Sequence, residues 1–374
     1  MRVLFVDDEP LILEGLQNLL RRYRKKWDMA FAVGGPEALE ELSTTPFDII
    51  VTDMRMPGMT GAALLEQVRQ RHPATARIML SGYSEEETTL QALPVAHQYM
   101  SKPCDPKRLQ QIISRVAQSR SFLESENLIH GANQLNTLGS TPEKYQALDK
   151  ALTSSEESLA KVAKVIESDI ALTAKILQIV NSAFFGLPQS IETACEATRY
   201  LGIPMLRQLF ARPRIFESWE NQASAGHAMA INRRAIRLGL HVEALMAVGR
   251  KAKSSFSAGV LCALGSLTTL QLRGADESVS LAAGRPLGEF IMSLWGLPST
   301  LIALPDSEKP TEPAQTLELA EALRACASLL DEPVQENEDL ATPALDANFL
   351  TSVGWGDKIE SLEAAIIRRS GDFV

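Results

Sequence analysis

Apolar and polar residues follow two different patterns along the chain, and the change between them divides it in two. Over residues 1–120, short apolar runs alternate with segments in which apolar side chains recur every three or four positions. The runs are centred near Val3, Met29, Ile49, Ile78 and Tyr99. Five such strand–helix units predict a doubly wound α/β domain with a parallel sheet. In its first helix, the apolar stripe is predicted to contain Ile12, Leu16, Leu19 and Tyr23.

After Pro106 the pattern is almost wholly helical to the end of the chain. Because no stop signal follows the last helix of the α/β domain, we expect it to continue as a linker helix over residues 106–132. Only about half of the heptad positions along this helix are apolar, so the pattern does not decide whether the chain forms a homodimer through a coiled coil. A helical bundle is predicted over residues 133–335, and residues 336–374 are predicted to be a C-terminal helical extension that docks onto it.

One helical segment of the bundle is apolar around most of its circumference. It spans residues 170–184, where Ile170, Ala174, Leu177 and Val180 share one face and further apolar residues widen that face. A helix of this kind is buried within a bundle.

Acidic residues end two of the strand-like runs. Asp7 and Asp8 follow the first run, and Asp53 follows the third. If these runs are neighbouring parallel strands, their carboxyl ends place three carboxylates in one crevice, where they repel one another unless a cation lies among them. A site made only of oxygen ligands suits Mg²⁺.

A hydroxyl and an ammonium group end the next two runs. Ser81 follows the fourth run and Lys102 follows the fifth. Beside a metal ion and a carboxylate, these two groups can neutralise a phosphoryl group, which is the requirement of phosphoryl-transfer chemistry.

Residues 1–120 resemble a response-regulator receiver domain, which implies a flavodoxin-like (βα)5 fold. The resemblance is carried by the order and spacing of Asp7, Asp8, Asp53, Ser81, Tyr99, Lys102 and Pro103. It implies that Asp53 accepts a phosphoryl group from a sensor histidine kinase or a phosphotransfer protein. It also implies that Ser81 and Lys102 contact the phosphoryl oxygens, that Pro103 follows a cis peptide bond and that Tyr99 turns inward when Ser81 moves. The Mg²⁺ ligands would be Asp7, Asp8, Asp53 and the backbone carbonyl of Arg55.

A second resemblance covers residues 133–335. The segment ESDIALTAKILQIVNSAFFG and the helix after it resemble the HDOD domain, a helical output module related to the HD phosphohydrolases. The signature residues are Asn181, Phe184, Phe185 and Gly186. By their chemistry alone, we expect the two phenylalanines to be core residues, Gly186 to end a helix and Asn181 to bond a neighbouring turn.

The second domain lacks the residues of an HD metal centre. A metal that activates water needs several imidazole and carboxylate ligands, but Cys262 and Ala263 occupy the positions of the family's His-Asp pair. His227 and His241 have no acidic partner at ligand spacing. We therefore expect a non-catalytic output domain that binds a protein, such as a cyclic-dinucleotide signalling enzyme, or a nucleotide. A cyclic-dinucleotide phosphodiesterase and a DNA-binding transcriptional regulator are the alternatives.

Composition narrows the choice of partner and compartment. The chain has 374 residues, a formal net charge of −9 and a pI near 5.3, which argues against a large nucleic-acid-binding face. No run approaches the ~18 apolar residues of a membrane span. The four cysteines lie far apart with no paired spacing, which fits a reducing cytoplasm.

Overall fold

The computed structural model places an α/β domain before a helical domain. It describes residues 1–82, 93–103, 105–123, 125–154, 158–182, 185, 187, 189–247, 253–274, 281–301, 319–332, 334, 339–371 and 373. The α/β domain has a five-stranded parallel sheet in the order β2–β1–β3–β4–β5. Its strands are β1 (Arg2–Asp7), β2 (Asp28–Val33), β3 (Ile49–Asp53), β4 (Ala76–Ser81) and β5 (Gln98–Ser101).

The predicted strands are therefore confirmed. The central strands β1 and β3 are almost fully buried, as expected when helices cover both faces of a parallel sheet. The helices described between the strands are α1 (Pro10–Leu19), α2 (Gly35–Thr44) and α3 (Gly61–Arg71), with a 3₁₀ turn at Arg21–Tyr23.

The buried face of α1 differs from the predicted one. Leu13, Leu16 and Leu20 are buried, whereas Ile12 and Leu19 are 38% and 51% exposed. Apolar residues crowd this helix, so that two overlapping stripes both satisfy the helical period. The position of the sheet selects between them.

The predicted single helix over residues 106–132 is wrong. Two helices, α4 (Pro106–Arg120) and α5 (Glu126–Gln134), occupy this region. Ser119 donates to a backbone carbonyl within the last turn of α4, and the Ser125 side chain accepts a hydrogen bond from the Leu128 N–H and so begins α5. Such bonds between serine side chains and the backbone compete with helix continuation.

The apolar face of α4 is also unavailable for a coiled coil. Leu109, Ile113 and Val116 are buried inside the chain, where α4 packs against a helix of the second domain. Arg120, at the end of α4, pairs with Asp48 at 2.6 Å and holds the helix end on the sheet.

The second domain is helical apart from the short parallel pair β6 (Gly139–Ser140) and β7 (Glu217–Ser218) in the described residues. Its helices are α6 (Pro142–Thr153), α7 (Leu159–Glu167), α8 (Ile170–Val180), α9 (Ala194–Phe210, bent at Gly202), α10 (Gln222–Ala247), α11 (Ser255–Leu261), α12 (Leu264–Arg273), α13 (Leu281–Leu294), α14 (Leu319–Arg324) and α15 (Ala327–Asp331). Every residue of α8 is buried, which confirms the predicted core helix.

One apolar stretch is long enough to cross a membrane by length and composition. It spans Ser255–Arg273, but 83% of its most apolar window is buried inside the protein, as in a core helix.

The C-terminal residues dock onto the bundle, as predicted. They form α16 (Ala347–Ser352) and α17 (Ile359–Ser370). Leu362 and Ile366 of α17 are buried, α17 packs against α10, and Arg369 pairs with Glu243 of α10 at 3.1 Å.

Candidate phosphoryl-acceptor site and the domain interface

Three charged side chains meet at the carboxyl edge of the parallel sheet. Asp7 ends β1, Asp53 ends β3, and Lys102 follows β5 directly. The Lys102 Nζ lies 2.8 Å from Asp7 Oδ2 and also contacts Asp53 Oδ1. The two aspartates are only 1% and 6% exposed. One ammonium group thus bridges two buried carboxylates.

Burial and the neighbouring charges shift the pKa values of both Asp53 and Lys102. Burial raises the pKa of Asp53, and the repulsion of Asp7 adds to it, although Lys102 and the Arg55 N–H lower it. Burial lowers the pKa of Lys102, but its bonds to Asp53 and Asp7 outweigh this and raise it. The two carboxylates therefore stabilise the charged form of Lys102 by more than burial destabilises it. The single ammonium offsets only part of the effect that burial has on the charged form of Asp53.

Backbone amides orient both carboxylates. Asp7 Oδ1 accepts a hydrogen bond from the Glu9 N–H at 3.0 Å, and Asp53 Oδ2 accepts one from the Arg55 N–H at 2.9 Å. The other oxygen of each carboxylate is left for Lys102. The orientation of Asp53 is therefore set before any substrate arrives.

Gly61 is a site residue that the sequence reasoning missed. It begins α3, and a Cβ at this position would lie 2.0 Å from the backbone oxygen of Asp53. Its own N–H donates to the Met54 carbonyl at 2.9 Å. A side chain here would displace the backbone that carries Asp53. Its signal in the sequence was the second glycine of the segment MPGMTG, at the start of a helix.

The other predicted residues of the receiver lie around this edge. Asp8 is half-buried beside Asp7, and Tyr99 on β5 is 5% exposed. The Lys102–Pro103 peptide bond is cis, as predicted. Ser81 is the last residue of β4, and its side chain lies outside the described part of the structure.

The donor set can be tested against Mg²⁺. Among the described residues, no group of three or more His, Cys, Asp or Glu side chains is arranged to hold a metal ion. However, the contact of Lys102 with both Asp7 and Asp53 shows that a cation fits between these carboxylates. Carboxylate oxygens are the ligands that Mg²⁺ prefers, so the residues present fit this ion.

The signature of the second domain is partly described. Asn181 ends α8, donates to the Leu177 and Ile191 carbonyls at 2.9 and 2.8 Å, and accepts from the Ile191 N–H at 2.8 Å. It therefore bonds a neighbouring turn, as its chemistry predicted. Phe185 stacks edge-on against Tyr200. Phe184 and Gly186 lie outside the described residues.

Cys262 and Ala263 lie where α11 and α12 meet, deep in the bundle. Burial raises the pKa of the Cys262 thiol to about 11, so the thiol is protonated at neutral pH. Two residues further on, a Cβ at Gly265 would lie 1.8 Å from the Gly284 carbonyl of α13. The helices therefore pack backbone against backbone at this point, with little room for a larger side chain.

The two histidines have structural surroundings. Burial lowers the pKa of His241 to about 4; its Nδ1 bonds the Arg237 carbonyl, and its Nε2 accepts from the Ala344 N–H at 2.8 Å. His227 is exposed and bonds the Ala223 carbonyl in its own helix. His227 therefore lies at the surface, whereas His241 is a buried link to the C-terminal region.

β5 and α4 connect the site to the second domain. Gln98, on β5, donates to the Ser293 and Leu294 carbonyls at 2.6 and 3.0 Å, both at the end of α13. Arg115, on α4, donates to the Leu297 carbonyl at 2.7 Å. The strand that leads to Lys102 is therefore bonded directly to the helical domain.

A second set of hydrogen bonds, here called the polar junction, also joins the two domains. It consists of Arg77, His97, Asn133, Asn136, Lys175 and Gln178, which are all buried. Arg77 donates to the Val95 and Asn133 carbonyls at 2.7 and 2.6 Å and to Asn136 Oδ1 at 3.1 Å. Burial lowers its pKa to about 9.

Lys175 completes the polar junction from the side of the helical domain. Its Nζ donates to the Asn136 carbonyl at 2.7 Å and to Gln178 Oε1 at 2.9 Å, and Gln178 donates to the His97 carbonyl at 3.1 Å. Burial lowers the pKa of Lys175 to about 7. A charged lysine in such a place requires both of its acceptors, the Asn136 carbonyl and Gln178 Oε1.

Comparisons with known proteins divide the chain into the same α/β and helical parts. The family model of the response regulator receiver domain matches residues 3–114, and that of the HDOD domain matches residues 138–283. The response regulator protein PilR of Pseudomonas aeruginosa is 38% identical over 121 residues, which cover 32% of this chain and 27% of PilR. The transcriptional regulatory protein ZraR of Escherichia coli K12 is 29% identical over 194 residues, which cover 48% of this chain and 44% of ZraR. The chain thus spans less than half the length of these relatives.

Two solved structures are similar to about a third of the chain. The signal receiver domain of an HD domain-containing protein from Pseudomonas fluorescens is 27% identical and is covered to 98%, with a TM-score of 0.31 over 33% of this chain. The response regulator protein TrrA of Thermotoga maritima, in complex with Mg²⁺ and BeF, is 28% identical and is covered to 96%, with a TM-score of 0.28 over 30% of this chain.

The family matches and the observed folds coincide in position. The first match contains the parallel sheet from residue 3 onwards with Asp7, Asp53 and Lys102, and the second contains the buried helix α8 and Asn181. The chain therefore carries a response-regulator receiver domain followed by an HDOD domain.

Proposed function

We propose that this chain is a phosphorylation switch in which Asp53 accepts a phosphoryl group from a sensor histidine kinase or a phosphotransfer protein. The observation that carries the proposal is the bridge of Lys102 between Asp7 and Asp53, at the end of the strand that is bonded to the HDOD domain. A charge added at Asp53 acts first on Lys102, and Lys102 is continuous with β5.

The chemistry at Asp53 is positioning and charge neutralisation. Asp53 Oδ2 is held by the Arg55 N–H, so Oδ1, which faces Lys102, is the oxygen that would attack the phosphorus, while the bond between phosphorus and the donor breaks and the donor group leaves with its electron pair. As the phosphoryl group arrives, the Lys102 ammonium neutralises its negative oxygens, and burial strengthens this attraction. Ser81 is the second residue that the receiver resemblance assigns to those oxygens.

Mg²⁺ is the proposed cofactor. Asp7, Asp8, Asp53 and the Arg55 carbonyl would hold it, and Asp7 and Asp53 already face a shared cation. The ion would supply positive charge for the phosphoryl oxygens.

Substitutions of Asp7 and Asp8 separate a metal role from a structural one. We expect Asp7→Ala and Asp8→Ala each to abolish Mg²⁺ binding. In metal-free buffer, we expect only Asp7→Ala to lower the melting temperature, because Asp7 accepts bonds from Lys102 and the Glu9 N–H. Each variant is titrated with Mg²⁺ by calorimetry and melted without metal. Unchanged Mg²⁺ affinity in both variants would contradict the assigned ligands.

The signal is proposed to leave through β5 and α4. Tyr99 and Gln98 lie on the strand that precedes Lys102, and Gln98 is bonded to the end of α13. When Lys102 turns towards a phosphoryl group, the strand end and Tyr99 repack, and the bonds of Gln98 and Arg115 to the HDOD domain change with them. Packed interfaces change between discrete arrangements rather than continuously.

Phosphorylation should therefore change the shape of the molecule. We expect the small-angle scattering profile and the sedimentation coefficient to differ between phosphorylated and unphosphorylated wild-type protein. We expect Tyr99→Ala to be phosphorylated normally but to lose most of the difference, because Tyr99 is buried between the site and the interface. Identical profiles in the two wild-type states would overturn this route. Sedimentation also reports whether a homodimer forms.

The HDOD domain is proposed to act by binding a partner, in the cytoplasm. The support is the buried apolar packing at Cys262 and Ala263, the positions that the HDOD resemblance assigns to the His-Asp pair, together with the close approach of Gly265 to Gly284. The three cysteines that the structure describes are free thiols, as expected in a reducing compartment. A protein, such as a cyclic-dinucleotide signalling enzyme, is the proposed partner.

A further inference from the structure

A cavity lies between the receiver and HDOD domains, next to the bonds of Gln98 and Arg115. Its volume is about 440 Å³, within the roughly 300–1,000 Å³ of pockets that hold small organic ligands. The two domains share its walls, to which the receiver contributes Tyr99, Arg108 and Arg115 and the HDOD domain contributes Gln178, Ser182 and Trp295.

The charge of this interdomain cavity is positive. Arg108 and Arg115 lie on one face of α4, seven residues and about 10 Å apart along the helix. No Asp or Glu is among the described residues that line the cavity. A cavity with two guanidinium groups and no carboxylate attracts an anion.

Arg115 is the stronger indication. Its Nη1 donates to the Leu297 carbonyl at 2.7 Å, but its Nη2 is shielded from solvent and has no hydrogen-bond partner in the described part of the chain. Burial alone, without any neighbouring carboxylate, lowers its pKa to about 10. Arg115 as a whole is half-buried, but a guanidinium nitrogen shielded from solvent normally has an acceptor, and for Arg115 Nη2 no described residue supplies one.

Three neutral groups in the same walls are also unsatisfied. The Tyr99 hydroxyl, Ser182 Oγ and Trp295 Nε1 are shielded from solvent and make no hydrogen bond with any described residue; the Ala96 amide lies near the Tyr99 hydroxyl without good bonding geometry. An indole nitrogen can only donate. The seven such atoms among the described residues include four from this one cavity, and all four can donate.

We propose that the interdomain cavity binds a small phosphate-bearing molecule whose anionic oxygens pair with Arg115 and Arg108. A phosphate offers several acceptor oxygens and suits the planar fork of a guanidinium. Tyr99, Ser182 and Trp295, whose polar atoms are unsatisfied, line the same walls.

Such a ligand would hold the two domains together, because each supplies part of its site. It would also contact Tyr99, which lies on the strand that leads to Lys102. Binding itself does not depend on phosphoryl chemistry at Asp53. If phosphorylation changes the interface, linkage requires that the ligand and the phosphoryl group affect each other.

The test is a calorimetric titration of the full chain with pyrophosphate and with adenosine 5′-monophosphate. Adenosine, which lacks the phosphate, is the neutral control. We expect at least one phosphate compound to bind with a dissociation constant below about 1 mM and adenosine not to bind. We expect Arg108→Gln and Arg115→Gln each to weaken binding about tenfold or more, the effect of losing one charge-assisted contact.

Lys107→Gln is the matched control, because Lys107 is exposed on the same helix and does not line the cavity. It should bind as wild type does. Arg108 is exposed, so its variant remains informative if Arg115→Gln does not fold. The proposal is overturned if neither phosphate compound binds, if adenosine binds equally well, or if Arg108→Gln weakens binding no more than Lys107→Gln does.

Discussion

Asp53→Asn should eliminate phosphorylation of this chain by a small acyl phosphate in Mg²⁺ buffer. The substitution keeps the size of the side chain but replaces the negatively charged oxygen that faces Lys102 with a neutral amide. An amide is a poor nucleophile and holds a cation weakly, so the loss should be complete rather than partial. Intact-protein mass spectrometry, with an expected gain of one phosphoryl group for the wild type only, measures it.

Asp28→Asn is the control for this experiment. Asp28 is exposed at the start of β2, at the opposite edge of the sheet, where it pairs with Arg2 at 3.0 Å. This variant should be labelled as the wild type is. Labelling of Asp53→Asn at the wild-type level would show that another residue is the phosphoryl acceptor.

Arg77→Met should strongly destabilise the protein. It removes the donor to two buried carbonyls and to Asn136 Oδ1, and buried acceptors without donors are costly. Removing a buried charge offsets part of this cost. We expect the free energy of unfolding to fall by about 3 kcal/mol, measured by urea denaturation.

The polar junction predicts a second consequence of this substitution. Because Arg77 connects the receiver to Asn133 and Asn136, its loss should also separate the two domains, which limited proteolysis between them would detect as faster cleavage. Arg71→Met is the control, since Arg71 lies exposed at the end of α3. Equal effects of the two substitutions would show that the polar junction contributes nothing to stability.

The sequence was most informative where function depends on residues at strand ends. In a parallel sheet, the carboxyl ends of adjacent strands meet at one edge, so apolar runs followed by Asp7, Asp53 and Lys102 predict their meeting without any knowledge of distances. The five strands and the buried core helix α8 were predictable for similar local reasons, whereas the cis peptide before Pro103 was implied by the resemblance to receiver domains.

The sequence was least informative where two alternative arrangements fitted the local pattern of apolar residues equally well. In α1, two apolar stripes satisfy the helical period, and contact with the sheet selects Leu13, Leu16 and Leu20. In the linker, apolar spacing favoured one helix, but the Ser125 cap and the Arg120–Asp48 pair end the first helix and begin a second. Gly61 appeared in the sequence only as a glycine near a helix start.

Periodicity and strand-end chemistry are local properties, so the order of residues is enough to predict the α/β domain, its acidic edge and the helical domain that follows. Which surfaces of the two domains meet depends instead on packing between segments that are distant along the chain. The polar junction joins Arg77 to Asn136 and Lys175 across distances of up to about a hundred residues in sequence. The interdomain cavity likewise exists only because Arg115 and Trp295 are brought together by packing, and no local pattern encodes such a meeting.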